Sequence, residues 1–320
     1  MHIQDGLLDV RTCVAAGVLA MSAVGYAVHR VRQSFADRAA PLMGVAAACL
    51  FAGQMLNFPV PGGTSGHLLG GVLAAVLLGP WAGLLVLTVV LAVQCVLFQD
   101  GGVTALGANV FNVGVLGSLV GYTMFASLRR LVGDPAGTVF GSVLAAWFSV
   151  VLAAVACSMQ LAIGGRFVLG PTLGAMLLAH TMIGVGEALI TGMAVSFILR
   201  ARPDLVYGRN GQAGAVSHVA QWVVGGLALA LVAAVLISPF ASSSPDGLEW
   251  AIERLGVEPE PVEPVLAAPM PDYTPRGLEN LRLAGSIAGA VGTVVVFVAA
   301  SLLARGLGTR SSLAHASHAS

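Results

Sequence analysis

The first two residues, Met1 and His2, carry three nitrogen atoms that can bind one metal ion together. They are the terminal amine, the amide nitrogen of His2 and its imidazole; the first two close a five-membered chelate ring. A second imidazole, His67, ends the loop NFPVPGGTSGH (57–67), where prolines stiffen the backbone and glycines permit unusual turns. Such a nitrogen set suits nickel, copper or cobalt, and binding must displace protons. The alternative for His67 alone is a capping histidine in a tight turn.

The composition is that of an integral membrane protein. Of 320 residues, 57% are hydrophobic and 9% are charged, with a mean hydropathy of +0.89. A soluble domain carries about 25% charged residues. The net charge is zero and no basic block occurs, which argues against a nucleic-acid partner. The cysteines all fall in apolar runs without CxxC spacing, so we interpret them as core residues rather than disulfides or zinc ligands (Cys13, Cys49, Cys95 and Cys157).

Apolar runs predict an all-α fold, a polytopic helix bundle with about nine membrane segments. A helix needs about 20 apolar residues to cross a bilayer, and fewer where other helices bury it. The run that starts at His67 is short, so we expect it to dip into the membrane where protein satisfies its backbone. The predicted segments are 9–28, 42–57, 67–80, 82–98, 104–128, 137–160, 171–199, 215–239 and 282–305.

Arginines predict the orientation of this bundle. They cluster after the first, fifth, seventh and last segments, and the positive-inside rule places those four sites in the cytoplasm. Met1 then lies outside and the carboxyl terminus inside, with His2 and His67 on the same outer face. No charged leader precedes the first apolar run, so we expect Met1 to be retained.

The chain divides into four parts. Residues 1–200 form a bundle rich in small residues, 201–214 a cytoplasmic linker, 215–305 a helical hairpin with an outer loop, and 306–320 a disordered tail. Within the outer loop, SSSPDGLEWAIERLG predicts a helix capped by Ser244 and ended by Gly256.

Three amides interrupt apolar helices near the outer side: Gln94, Asn109 and Asn112. A buried amide needs a partner, so these residues either orient the two imidazoles or form ordinary hydrogen bonds between helices. Both interpretations stay open. Asp100, followed by two glycines, is expected to form a tight outer turn.

His180 and Glu187 lie seven residues apart, two turns along one helical face. Ionisable residues inside a membrane often relay protons, which would suit a stand-alone proton-coupled metal carrier. A packing pair between helices is an equally good interpretation. The chain has no phosphate-binding GxxxxGK[ST] motif, so it cannot hydrolyse ATP by itself, and HExxH and GxSxG are also absent. A metalloenzyme is disfavoured because no acid–base pair sits beside the proposed site.

Several motifs together resemble one family. They are MHIQDGLLD at the start, NFPVPGGTSGHLLGG at 57–71, LFQDGG…LGANVFN between 97 and 112, and GEALITG at 186–192. They resemble the CbiM/NikM family, the substrate-binding membrane subunits of energy-coupling factor importers for cobalt and nickel. The loop SSSPDGLEWAIERLG resembles the companion CbiN/NikN or PDGLE subunit, here fused to the carboxyl end.

The resemblance implies a function and a set of partners. The transported ion would be Ni²⁺ or Co²⁺, held by the Met1 amine, the amide and imidazole of His2, and the imidazole of His67, with no permanent cofactor. Partners would be a second, coupling membrane subunit and two ATP-binding cassette ATPases, and the chain itself would not be an enzyme. Gln4 stands where proline is common in the family, a departure that leaves the donor residues intact.

Overall fold

The computed structural model describes residues 2–34, 39–208, 219–257 and 265–317. Within them the fold is a helix bundle, which confirms the predicted class. One addition is a two-stranded antiparallel hairpin, β1 (Phe58–Val60) and β2 (Thr64–Gly66). The helices are α1 (Val10–Ser34), α2 (Ala39–Gln54), α3 (Gly71–Leu78), α4 (Pro80–Val93), α5 (Leu106–Asn109), α6 (Gly121–Val132), α7 (Ala136–Ile163), α8 (Leu169–Ala201), α9 (Val219–Val232), α10 (Gly247–Leu255) and α11 (Leu281–Ser317).

Short irregular helical turns extend several of these helices. π-helical turns follow α4 (Gln94–Phe98), join α5 to α6 (Val110–Val120) and follow α9 (Ala233–Ile237). Single 3₁₀ turns occupy Pro203–Leu205, Ser238–Phe240 and Pro271–Tyr273. π-helical turns occur frequently at functional sites, and the first one directly precedes the loop that carries Asp100.

Seven helical spans in the described part of the chain are long and apolar enough to cross a membrane. Each overlaps one of the nine segments expected from sequence, and the other two correspond to the shorter helices α2 and α3. The spans are Val10–Gln33, Pro80–Phe98, Leu106–Val132, Ala136–Ile163, Leu169–Ala201, Ala220–Phe240 and Leu281–Gly308. The protein is therefore a multi-pass membrane protein.

The short predicted segment 67–80 combines an extended stretch with helix α3. At its start Gly66 lies against Ile183 of α8, and near its end the Val76 carbonyl accepts a hydrogen bond from Tyr207, beyond the end of α8. Between these contacts the Leu69 and Gly70 amides meet Glu187 of α8, one turn beyond Ile183. The extended stretch therefore packs along α8, and the helix that follows it has only eight residues.

Small residues allow the close packing of this bundle. Gly71 of α3 and Gly117 approach so closely that a Cβ atom on Gly71 would lie 2.6 Å from the Gly117 Cα. Buried alanines line α7, among them Ala145, Ala146 and Ala153. Helix association in membranes depends on such contacts, because apolar burial gives little advantage over lipid.

The carboxyl-terminal helices pack onto the bundle. Gly292 of α11 lies against Phe51 of α2, and the Cys49 thiol donates a hydrogen bond of 3.6 Å to the Gly226 carbonyl of α9. All four cysteines are free thiols, as the absence of paired spacing predicts.

Helix α10 begins at a different cap from the one predicted. Asp246, not Ser244, accepts hydrogen bonds from the backbone of Leu248 and Glu249, and the Glu249 side chain accepts from the Asp246 backbone. This reciprocal capping box uses a carboxylate, which also interacts favourably with the positive end of the helix. Gly256 ends the helix in the left-handed conformation, as expected.

The tail also differs from expectation. Disorder is predicted from 306 onward, whereas α11 continues to Ser317. Alanine, leucine and arginine favour helix propagation from an existing helix, and this explains the extension. Four stretches of the predicted parts lie outside the described residues: 209–214 of the linker, 215–218 at the start of the hairpin, 258–264 of the outer loop and 318–320 of the tail.

Candidate metal centre

The β1–β2 hairpin delivers His67 to the centre. Phe58 pairs with Gly66 and Val60 with Thr64. Gly62 and Gly63 form the turn with φ angles of 98° and 83°, in the left-handed region that glycine adopts without strain. His67 follows directly, so its position is set by the hairpin.

The backbone beyond His67 is held by side chains from two helices. The carboxylate of Glu187 accepts hydrogen bonds from the amides of Leu69 (2.6 Å) and Gly70 (2.8 Å), and Gln54 donates to the Leu69 carbonyl (2.9 Å). The Nδ1 of His67 lies 3.0 Å from the Leu68 carbonyl. As a carbonyl only accepts, Nδ1 carries the proton and the Nε2 of neutral His67 carries the lone pair that a metal requires.

The amino-terminal segment is fixed through the backbone of Ile3. Its amide donates to the Asn109 side chain (2.8 Å), and its carbonyl accepts from Asn109 (3.0 Å) and from the Gly102 amide (2.8 Å). Two residues later, Asp5 accepts hydrogen bonds from the backbone and hydroxyl of Thr104. Ile3 is fully buried, so His2 occupies a defined place although it is one residue from the chain terminus.

The structure brings together the two imidazoles that the sequence singles out. The rings of His2 and His67 are stacked, with centroids 5.2 Å apart and planes within 5° of parallel. Both residues are 7% exposed. Met1, the third residue of the predicted donor set, lies outside the described residues.

Asp100 contacts the His2 ring directly. The Nδ1 of His2 donates to Asp100 Oδ1 over 2.8 Å, and the hydroxyl of Tyr273 donates to Asp100 Oδ2 over 2.6 Å. Burial raises the pKa of the Asp100 carboxyl. The charge and hydrogen bond of His2 and the hydrogen bond from Tyr273 lower this pKa by more than burial raises it, so the net pKa lies well below its usual range. Burial and the charge of Asp100 raise the pKa of Tyr273 well above its usual range. Asp100 is therefore ionised and Tyr273 protonated at neutral pH.

The three predicted amides occupy different environments. Asn109 holds the residue next to His2, as described above. Asn112 instead forms two hydrogen bonds with Gln160, of 2.8 and 2.9 Å. The Gln94 side chain is fully buried and lies beside the hydroxyl of Tyr273. Of the three amides, Asn109 alone hydrogen-bonds the segment that carries His2.

His180 and Glu187 do not form a pair with each other. Glu187 binds the backbone after His67, whereas the Nδ1 of His180 lies 2.9 Å from the Met176 carbonyl. The His180 ring packs against Gly247 at the start of α10. The geometry favours structural roles: Glu187 positions the His67 segment, and His180 packs against the carboxyl-terminal part.

A cavity of about 320 Å³ opens onto both imidazoles. Its lining includes His2, His67 and Asp100 and, from the carboxyl-terminal part, Asp246, Glu249 and Asp272. Among the described residues, no group of three or more His, Cys, Asp or Glu side chains is placed to hold a metal ion. A tight metal site here would therefore need backbone or terminal nitrogens in addition to side chains.

Sequence reasoning missed two contributors to this centre. The two glycines after Asp100 are explained by a tight turn, so no further role was predicted for this residue. Tyr273 lies in a proline-rich loop, where nothing in the neighbouring sequence indicates a contact with Asp100. The contact between them joins residues 173 positions apart.

Family models match nearly the whole chain. Residues 2–205 match the model described as CbiM, "Cobalt uptake substrate-specific transmembrane region", and residues 220–308 match the PDGLE domain. The chain belongs to the CbiM family, with a PDGLE domain fused to it. It is a metal-uptake transport protein.

Individual relatives agree with this assignment. A protein of Archaeoglobus fulgidus named as a fused nickel transport protein NikMN is 39% identical, over 95% of this chain and 98% of its own length. The fused nickel transport protein NikMN of Rhodobacter capsulatus is 29% identical over 96% and 98%. The cobalt transport protein CbiM of Sorangium cellulosum is 34% identical over 64% and 94%. A crystal structure titled as a truncated transition metal transporter superposes with a TM-score of 0.58 at 33% identity, covering 63% of this chain and 99% of that one.

The different partners of Asn109 and Asn112 predict different effects of substitution. Asn109→Ala should release the backbone of Ile3 and lower the affinity for Ni²⁺ by about 10- to 100-fold, the typical effect of losing a hydrogen bond that positions a metal ligand. Asn112→Ala is the matched control, since it should lower stability but leave affinity unchanged. Calorimetric titration with Ni²⁺ and thermal unfolding in detergent measure the two quantities. An equal loss of affinity in both variants would contradict the specific role of Asn109.

Replacing Glu187 by Gln tests whether it positions the His67 segment. The amide offers one acceptor where two backbone N–H groups need one each, so Glu187→Gln should lower the free energy of unfolding by about 1–3 kcal/mol. Glu253→Gln, at an exposed position of α10, should change it by less than about 0.5 kcal/mol. If Glu187→Gln is as stable as wild type but loses proton-driven metal uptake, the result would instead support a proton relay through Glu187.

Proposed function

We propose that the chain captures Ni²⁺ or Co²⁺ at the outer face of the membrane as the substrate-binding subunit of an energy-coupling factor importer. The observation that carries this proposal is the meeting of two imidazoles, each on a segment fixed by backbone hydrogen bonds, beside a cavity in a member of a metal-uptake family. Nickel is the favoured ion, because two relatives that match over at least 95% of this chain carry a nickel transport name, whereas one that matches over 90% of it carries a cobalt transport name.

The proposed donor set consists of the Met1 amine, the amide and imidazole nitrogens of His2, and the imidazole of His67. Four nitrogen donors in a near-planar arrangement suit Ni²⁺ and exclude ions that prefer oxygen. Geometry selects the imidazole nitrogen of His2: only Nδ1 closes a six-membered ring with the amide nitrogen of the same residue. His67 would supply Nε2.

The parts of the chain have distinct proposed tasks. Residues 1–200 bind the metal, 201–214 link the two parts in the cytoplasm, and 215–305 form a hairpin whose outer loop contacts the metal-binding part. Met1 lies outside and the carboxyl terminus inside, as the arginine pattern predicts.

Energy for uptake comes from partners in this proposal. A coupling membrane subunit and two ATP-binding cassette ATPases would associate with the chain, which has no nucleotide-binding motif of its own. The alternative, a proton-coupled carrier that uses His180 and Glu187, is weakened by the separate hydrogen-bond partners of these residues.

Metal content of the purified protein tests the donor set. Wild type should retain about one Ni²⁺ per chain, while His2→Ala and His67→Ala should lose it because each removes one of the few donors. An extra residue before Met1, with both imidazoles retained, should also abolish binding, since it separates the amine from His2. His29→Ala is the control, because this exposed histidine lies on α1 and contacts Gln33. Unchanged metal content in a folded His2 or His67 variant would refute the proposed site.

Reconstitution in vesicles tests the partnership. With the coupling subunit and both ATPases, uptake of Ni²⁺ should require ATP; with this chain alone, neither ATP nor a proton gradient should drive accumulation. Sustained accumulation by the chain alone under a proton gradient would support the carrier.

A further inference from the structure

The imidazoles of His2 and His67 lie close together, with centroids 5.2 Å apart and nearly parallel planes. The lone pair of an imidazole nitrogen lies in the plane of its ring and points away from it. A nitrogen whose hydrogen already points to an acceptor has no lone pair available for a cation.

The His2 ring is held by a hydrogen bond at Nδ1. Asp100 accepts that hydrogen bond with one carboxylate oxygen and the hydroxyl of Tyr273 with the other. Tyr273 is itself fixed, because its ring stacks on Phe98 with centroids 4.6 Å apart. The remaining nitrogen of His2, Nε2, is buried and has no hydrogen-bond partner among the described residues.

The nitrogen that Asp100 occupies is the one that the chelate needs. In the donor set proposed above, Nδ1 of His2 binds the cation, and a nitrogen bound to a metal cannot donate a hydrogen bond. Asp100 and the cation therefore compete for the same atom. We propose that Asp100 and Tyr273 form a latch that holds His2 away from the cation in the empty site, so that the fused carboxyl-terminal part regulates loading; this rests on the proposed donor set.

The latch makes metal occupancy and the loop around Tyr273 interdependent. A contact that exists only in the empty state lowers the apparent affinity for the ion, because binding must break it. By the same linkage, binding of the ion must loosen the segment that carries Tyr273. Tyr273 acts through Asp100 and does not bind the metal, so it is a positioning residue.

Tyr273→Phe tests the latch without changing charge. Loss of the hydroxyl weakens the hold on Asp100, so the dissociation constant for Ni²⁺ should fall by about two- to ten-fold, the range of one hydrogen bond, mainly through faster loading. Tyr122→Phe is the matched control and should change nothing. An unchanged or higher dissociation constant in Tyr273→Phe overturns the latch.

Asp100→Asn shows whether Tyr273 acts through Asp100. In this background Tyr273→Phe should have no further effect, and additive effects would overturn the proposal.

Hydrogen exchange gives an independent readout: Ni²⁺ should increase deuterium uptake around Tyr273 in wild type, and unchanged uptake contradicts the latch. The amount of metal bound at saturation separates the proposed donor set from the latch. Wild type that binds no Ni²⁺ refutes the donor set. Wild type that binds one Ni²⁺ per chain, with an unchanged dissociation constant in Tyr273→Phe, refutes the latch alone.

Discussion

The centre depends on backbone hydrogen bonds that immobilise the amino-terminal end of the chain. Chain termini are usually poorly ordered unless something fixes them, since ordering each residue costs about 1–2 kcal/mol of backbone entropy. Here both backbone groups of Ile3 are satisfied by Asn109 and Gly102. Glu187 does the same for the segment after His67. Main-chain positions are therefore fixed on both sides of the centre.

The carboxyl-terminal part is built into this centre. The Ser65 amide of the hairpin donates to the Pro245 carbonyl over 2.8 Å, and the Trp250 indole donates to the Gly62 carbonyl over 2.9 Å. Tyr273 donates a hydrogen bond to Asp100 in the lining of the cavity. Because the two parts belong to one chain, these contacts form at a high effective concentration, and individually modest hydrogen bonds suffice to hold them.

The sequence predicted the helices better than it predicted the contacts of the centre. A bilayer dictates how many apolar residues a crossing needs, so composition alone locates most of the membrane segments. The strands at 58–66 are too short to show alternation, and Ser244 and Asp246 are both good caps, so neither detail followed from the sequence. The partners of Asn109 and Asn112 depend on how the helices pack. Their positions in the sequence are equally suitable for either role.

The contacts of Asp100 could not be predicted from the sequence for a related reason. A tight turn by itself accounts for an Asp followed by two glycines, and Gly101 does adopt a φ of 93° in this turn. Nothing local indicates that the carboxylate also binds His2 and Tyr273, which lie far away in the sequence. Residues that satisfy a local rule completely can still carry a second, tertiary role.

The hydrogen bonds of the carboxylates around the cavity also bear on which ions it admits. Asp100 is engaged by His2 and Tyr273, and Asp246 by the backbone of α10. Oxygens committed in this way supply negative charge that attracts a cation from solution, but they are poorly available as ligands. Mg²⁺ and Ca²⁺ require oxygen ligands, whereas Ni²⁺ and Co²⁺ accept nitrogen. Attraction without oxygen coordination therefore favours ions that the nitrogen donors can bind.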